Sequence, residues 1–273
     1  MFKSYIKEYS DRIIQNDLLV NLPIHAMLPR MPECGSKYGQ KKRIMFIGQD
    51  PDYLCKDFDG YLKNDIYKHI LDYNKCSTAF DFNEIDDNFI CWYKTYRYKF
   101  WEFSIDFISK YYDLNIIPSK FSQSLIDNDS NVREIYSTFG WGNFSALLFP
   151  HILERKYSKT KDLFEKANMV DYYKNFNIAQ SIFSNIDFFE NTCNPDIIII
   201  LTKLFNPNIF FNGKNIDKSY FDSKNNISKY DYFGNKQIRI ISTYHPSYMS
   251  RKGNIDGFGI EDYVNEILTI LNK

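Results

Sequence analysis

Two short polar segments directly follow apolar runs, and a proline fixes the turn in each. GQDP, at residues 48–51, follows the run 43–47, and HPS, at residues 245–247, follows another apolar run. A proline restricts the turn, so the side chain before it points in one direction. Asp50 can hold a water or face a developing positive charge, and His245 can stabilise a developing anion. In one cleft, the pair would be suited to splitting a glycosidic bond.

Each motif taken alone also fits a structural role. Asp50 could cap the helix that follows its turn, and His245 could be a structural histidine. The pair of motifs, each at a strand end, favours catalysis over these separate roles because a carboxylate and an imidazole would then converge on one cleft.

The elements that position these motifs are short apolar runs separated by helical patterns. Compact runs without alternation are typical of strands in a parallel sheet covered on both faces. We predict strands at 43–47, 144–149, 197–201 and 238–242. Apolar residues at helical spacing predict helices over 98–112 and near 264–271. This pattern predicts an α/β fold, a three-layer α/β/α sandwich with a central, mainly parallel four-stranded sheet.

The composition fits one globular domain with no signal for a cofactor. The 273 residues are 44% hydrophobic, so we expect one domain over 1–273, with an N-terminal helical extension of about 1–40. A weakly patterned insert of about 55–90 and a polar loop at 212–237 are also predicted. The five cysteines are isolated in sequence, so we expect reduced thiols, no metal and no disulfide framework. The absence of a signal or membrane segment in the sequence predicts a cytoplasmic protein.

The charge balance restricts how the chain could bind a nucleic acid. Lys plus Arg and Asp plus Glu each total 34. No net field therefore attracts a polyanion, and any nucleic-acid surface must be a local basic patch.

The two motifs carry a family resemblance. GQDP and HPS, in this order, resemble the active-site motifs of the uracil-DNA glycosylase superfamily, commonly written GQDPYH and HPSPLS. The resemblance implies a monofunctional DNA glycosylase that flips a pyrimidine out of DNA, hydrolyses its N-glycosidic bond and leaves an abasic site. It implies that Asp50 activates water, that Gln49 lines the base pocket and that His245 hydrogen-bonds the base oxygen. It implies no cofactor, because the cysteine spacing of the branches that hold an iron–sulfur cluster is missing.

The resemblance also points to a residue that reads the base. GWGNFSALLFPH, at residues 140–151, is similar to the family segment whose asparagine binds the flipped base, so Asn143 is the first candidate. Asn143 could also be a turn or cap residue before a strand. Asn212, in FFNGKN, is the rival candidate.

The segment after His245 is the expected DNA interface. The resemblance places Met249 where the family inserts a leucine into the duplex. Ser247 and Ser250 would bind phosphates, and Arg251 and Lys252 would add positive charge. For Arg251 and Lys252, a solvated loop remains the alternative.

The match departs from the uracil-specific pattern directly after GQDP. The family's tyrosine, which excludes substituents at carbon 5 of the pyrimidine, is replaced by Asp52, and Tyr53 is displaced by one position. Aspartate leaves more room and offers hydrogen-bond acceptors. The favoured substrate is therefore a hydroxymethylated or glucosylated cytosine of phage DNA, which implies antiviral defence. The alternatives are a uracil-DNA glycosylase acting on damaged host DNA, a catalytically silent DNA-binding module, and a hydrolase of free nucleosides.

Overall fold

The computed structural model describes most of the chain. The described residues are 2–19, 22, 27–35, 37–49, 65–78, 98–114, 135, 137–147, 149–151 and 166–272. Within them the helices are α1 (Lys3–Gln15), α2 (Ile66–Thr78), α3 (Tyr98–Tyr111), α4 (Lys166–Phe183), α5 (Ile186–Thr192), α6 (Pro207–Phe210), α7 (Pro246–Asp256) and α8 (Ile260–Asn272). The strands are β1 (Glu33–Cys34), β2 (Ile44–Gly48), β3 (Gly140–Asn143), β4 (Ile197–Leu201), β5 (Lys218–Asp222), β6 (Ile227–Phe233) and β7 (Gln237–Thr243).

The fold is α/β, as predicted, but its sheet is larger than expected. Seven strands lie in the order β1-β3-β2-β4-β7-β6-β5. The middle strands β3, β2, β4 and β7 are parallel to one another, whereas β1, β6 and β5 pair antiparallel at the flanks. The four-stranded sheet of the prediction therefore matches the parallel middle only.

Helices cover both faces of the sheet, and each face has its own apolar core. Side chains of α1, α2, α4 and α5 pack on one face, and side chains of α3, α7 and α8 pack on the other. Strands β2 and β4 are buried along their whole length. This explains why their sequences, IMFIG and IIIIL, are continuous apolar runs. None of the described helices is long and apolar enough to cross a bilayer.

The strand predicted at 144–149 is wrong, because the strand lies just before it, in GWGN. Glycine is disfavoured in strands, so this segment carried no strand signal. Close packing explains the glycines. A Cβ on Gly140 would lie 3.2 Å from the Tyr38 ring, and one on Gly142 would lie 3.2 Å from Pro32. The segment around Pro32 can therefore lie directly against β3.

The predicted loop at 212–237 is also wrong, since it contains β5 and most of its residues after Asn226 form β6. These two strands form an antiparallel pair at the edge of the sheet. The turn between them is held by Asp222, whose carboxylate accepts hydrogen bonds from the backbone of Lys224 and the side chain of Asn225. Asn226 adopts a left-handed backbone conformation, with φ of 53°, which asparagine tolerates better than most residues.

Of the predicted insert at 55–90, only residues 65–78 are described, and they include α2. Of the predicted extension at 1–40, the described residues include α1 and strand β1, which joins the sheet.

The amino-terminal end of the parallel sheet is fixed by Asp196, which lies just before β4. Its carboxylate accepts the backbone N–H of Arg43 at 2.8 Å and the ammonium of Lys236 at 2.6 Å. Partial burial opposes ionisation, but the hydrogen bonds from Lys236 and Arg43 outweigh it and lower the pKa of Asp196. The ionised carboxylate thus ties the starts of β2 and β7 to β4.

We predict that this carboxylate stabilises the fold in a pH-dependent way. Because its pKa is lower in the folded than in the unfolded chain, its contribution is present near neutral pH and is lost as the pH falls through the folded pKa. The difference in unfolding free energy between wild type and Asp196→Asn should therefore shrink on acidification from neutral pH, as measured by urea unfolding. Asp11→Asn, in an exposed ion pair, is the control. A difference that stays constant over this range would contradict the prediction.

Candidate functional site at the carboxyl ends of the parallel strands

The carboxyl ends of the four parallel strands lie in one row. Gly48 pairs with Asn143, Ile47 with Ile200, and Leu201 with Thr243. The last residues of β3, β2, β4 and β7 are therefore level with one another. Ligands of open α/β sheets bind at this edge.

The motifs follow strands that are not neighbours in the sheet. GQDP follows β2 and HPS follows β7, and β4 lies between them. With neighbouring strands about 4.8 Å apart, the two strand ends are separated by roughly 10 Å. The sequence alone could not indicate this separation, because it follows from the order of the strands in the sheet.

The strand β2 ends in a glycine. Gly48 is level with Asn143, and a Cβ on it would lie 3.6 Å from the Asn143 Oδ1 and 3.6 Å from a ring carbon of Phe100. These are ordinary contact distances, so the backbone itself does not demand glycine here. The missing side chain leaves a slot the size of one Cβ, bounded by an amide and an aromatic ring.

Asn143 is the strand-end amide of this slot. It is the last residue of β3, not a turn residue before a strand, and its side chain is only 8% exposed. Among the described residues its amide has no hydrogen-bond partner. Asn212 is exposed, and its side chain donates to Asp187 at 3.4 Å, away from this edge. Of the two candidates, the structure brings Asn143 to the motifs.

Gln49 is half-buried directly after β2, and its carbonyl accepts the N–H of Ser145 at 3.1 Å. The chain after β3 therefore stays bonded to the start of the GQDP motif. Asp50, Asp52 and Tyr53 lie outside the described residues, so their predicted roles remain predictions.

His245 is held by the helix that it begins. It is the N-cap of α7, and its Nδ1 accepts the backbone N–H of Ser247 at 3.2 Å. Because that N–H can only donate, Nδ1 must be unprotonated, and the proton of the neutral imidazole lies on Nε2. Pro246 occupies the first helical position, which fixes the turn. In the neutral form, His245 therefore carries its proton on Nε2.

Two residues of this edge carried no signal in the sequence. Thr243, the last residue of β7, is 1% exposed, and its hydroxyl has no hydrogen-bond partner in the described part of the chain. Phe100, in the first turn of α3, lies over the Gly48 slot. The helical pattern of α3 gave no hint that Phe100 faces a strand end rather than the core alone.

The first helix turns after His245 differ from the predicted DNA interface. Met249 is fully buried, in the core formed with α3 and α8, and is not exposed as a wedge in the duplex would be, so its predicted role stays a prediction. The side chain of Lys252 is also largely buried. Its ammonium lies 2.9 Å from both Asn225 and Asp256, and its side chain is 12% exposed. It ties the β5–β6 turn to α7 and is not available as a phosphate contact.

The exposed face of α7 is formed by other residues. Ser247 and Arg251 are exposed and Ser250 is half-buried, and their roles as phosphate contacts stay predictions. Tyr248 is 40% exposed, and its ring lies 4.3 Å from that of Tyr244. Tyr248, Arg251 and the exposed Ile255 lie at helical spacing on one side of α7, next to His245. These three residues form an exposed stripe along α7.

Neither the family models nor the curated protein sequences give a match to the chain. In the part of the chain that the structure describes, no group of three or more His, Cys, Asp or Glu could hold a metal ion.

The burial of Met249 gives a prediction that does not depend on function. Met249→Ala should lower the unfolding free energy by about 2–5 kcal/mol, because it removes a fully buried side chain. Ile255→Ala, on the exposed side of the same helix, should change it by about 0.5 kcal/mol or less. Urea unfolding of both variants tests this, and equal effects would mean that Met249 is exposed in solution.

Proposed function

We propose that the protein is a monofunctional DNA glycosylase of the uracil-DNA glycosylase type, with that family's α/β/α fold. The observation that carries the proposal is the common level of Gly48 and Asn143 at one sheet edge, with an oriented histidine beyond it. GQDP, the asparagine and HPS are the elements for which the sequence resembles that family.

Under this proposal, each residue at the carboxyl ends of the parallel strands has its own role in binding or catalysis. The Asn143 amide can pair with the polar edge of a pyrimidine, since it has no other partner among the described residues. The Phe100 ring beside Gly48 would contact the face of a bound base. The Nε2–H of His245 can donate to a base oxygen as negative charge develops there. Asp50 would hold the attacking water at the sugar carbon.

The exposed stripe of α7 suits a DNA strand beside this site. Tyr248 offers an aromatic face for stacking, and the exposed Arg251 offers a charge for a phosphate. In a protein with equal numbers of positive and negative side chains, such a local surface is the form of DNA contact to be expected. Tyr248 thereby replaces Met249 as the residue proposed to fill the gap left by a flipped base.

The proposed substrate is a pyrimidine with a polar substituent at carbon 5, which is a hydroxymethylated or glucosylated cytosine in phage DNA. This part of the proposal rests on the acidic residue Asp52 in place of the ring that excludes such substituents. The associated role is defence against phage, acting in the cytoplasm. Uracil excision in repair is the alternative substrate assignment.

We predict that the protein releases a free base from DNA and leaves an alkali-labile abasic site. Duplex and single-stranded DNAs that contain uracil, 5-hydroxymethylcytosine, glucosylated hydroxymethylcytosine or only ordinary bases are incubated with it, and the released base is identified by mass spectrometry. We expect release of a 5-substituted cytosine. Release of uracil alone would overturn the substrate assignment but not the activity, and release of no base from any DNA would overturn the activity.

Two matched variants assign that activity to the site. Asp50→Asn keeps the shape of the side chain and should lower the rate by about 10²–10⁴-fold through loss of the base function. His245→Asn keeps a residue that caps helices and should lower it by about 10²–10³-fold through loss of the donor to the leaving base. Ile255→Ala is the surface control. Full activity of either site variant would contradict its role.

A further inference from the structure

A polar cavity of about 460 Å³ lies at the amino-terminal end of the parallel strands, at the other end of the sheet from the candidate site. Its volume falls in the range of small-molecule sites, which is roughly 300–1,000 Å³. Lys42 and Asp196 border it just before β2 and β4, and Lys229, Asp231 and Arg239 border it from β6 and β7. The cavity is therefore large enough for a ligand and is lined mainly by charge.

The cavity lies beside the last turn of α8. Strands β6 and β7 pair antiparallel, with Asp231 opposite Arg239 and Lys229 opposite Ile241. Residues opposite each other in a sheet share a face, and Ile241 packs in the core with α8. The charged residues thus lie on the face that α8 covers. Arg239 holds the last turn in place, since its Nη1 donates to the carbonyl of Leu271 at 2.5 Å.

Lys229 is a largely buried cation that lacks a hydrogen-bond acceptor. Its side chain is only 14% exposed. Its ammonium lies 3.8 Å from the Asp231 carboxylate, which is too long for a hydrogen bond, and it donates to no other described residue. Removing an ammonium from water without a hydrogen-bond partner costs stability. An anion bound in the cavity would supply the missing acceptor.

Positive charge exceeds negative charge around the cavity. The carboxylate of Asp196 is neutralised by the ammonium of Lys236, at 2.6 Å. Among the described residues of the lining, Asp231 is then the remaining carboxylate, and it faces three cations, Lys42, Lys229 and Arg239. Three positive charges against one negative charge leave a surplus of two. The surplus matches a dianion.

We propose that this cavity binds the phosphate group of a small phosphate monoester. Near neutral pH a monoester carries close to two negative charges, whereas each phosphodiester of a DNA strand carries one. The Lys229 ammonium can donate to a phosphate oxygen, and so can the N–H groups of Arg239 that do not bind Leu271. The side chain of Asn272, at the rim of the cavity, can bind a hydroxyl of the esterified group. This inference is independent of the glycosylase proposal.

Calorimetric titration of the full chain tests the site. The ligands are glycerol phosphate, inorganic phosphate and a single-stranded oligonucleotide without terminal phosphates. Glycerol phosphate has no base, so it does not test the candidate glycosylase site. We expect it to bind once per chain with a Kd of about 1 mM or lower, and more tightly than the other two ligands. Equal affinity for inorganic phosphate would overturn the monoester assignment, and no saturable binding of either would overturn the site.

Matched lysine variants locate the binding. Lys229→Met keeps the length of the side chain without its charge and should weaken binding of glycerol phosphate about tenfold. Lys42→Ala should also weaken it, and folding should not suffer because Lys42 is exposed. Lys224→Ala is the control, since it removes the same charge from the exposed turn between β5 and β6 and should leave the affinity unchanged.

Chemical shifts give a second readout of position. In the wild type, glycerol phosphate should shift the backbone N–H signals of Arg239 and Asn272, while that of Gly48 at the other end of the sheet stays unchanged. The inference is overturned if the shifts are confined to the Gly48 end. It is also overturned if neither Lys229→Met nor Lys42→Ala weakens binding, or if Lys224→Ala weakens it equally.

Discussion

The shared register of four parallel strands is the constraint on which the candidate site depends. Gly48, Asn143, Leu201 and Thr243 end their strands at one level because β2 pairs with both β3 and β4, and β4 pairs with β7. A shift of one residue in any pairing would turn that strand's last side chain to the other face. Continuous apolar cores on both faces oppose such a shift, so the packing of the whole sheet sets the geometry of its edge.

The two ends of the sheet differ in how their polar groups are satisfied. At the amino-terminal end, Asp196 has both a cation and a backbone N–H as partners. At the carboxyl end, the amide of Asn143 and the hydroxyl of Thr243 have no partner among the described residues. Buried polar groups without partners cost stability, so a protein keeps them mainly where a ligand satisfies them. The Thr243 hydroxyl is such a buried group at the carboxyl end of the described sheet, and under the proposed function a ligand would satisfy it.

Local sequence patterns predicted the parts of the fold in which one signal dominates. The run at 197–201 is β4 to the residue, because it is continuously buried, and the run at 238–242 lies within β7, which is buried except at Gln237 and Arg239. GWGN was missed because its glycines serve close packing between strands and not strand formation. The hairpin of β5 and β6 was missed because its polar outer face resembles a loop.

The candidate site was predictable only in outline. Asn143 was chosen as a candidate from the segment 140–151. The position of β4 between the two motifs could not be predicted, because it depends on the order of the strands in the sheet. The burial of Met249 and the hydrogen bond from Lys252 to Asn225 follow from the way α7 packs on its neighbours, which no local pattern encodes. Phe100 and Thr243 join the site through three-dimensional proximity alone.

We propose that one ligand contacts the residues that follow β2 and those that follow β7, at the carboxyl ends of the parallel strands. The most direct measurement is an NMR titration of isotope-labelled protein with DNA that contains a non-cleavable pyrimidine nucleoside analogue. The side-chain amide of Asn143 and the ring of His245 are assigned from Asn143→Asp and His245→Gln. We expect both signals to shift together with one affinity, while the backbone N–H of Arg43, beside Asp196, stays unchanged. Shifts confined to the Asp196 end, or to only one of the two site residues, would contradict it.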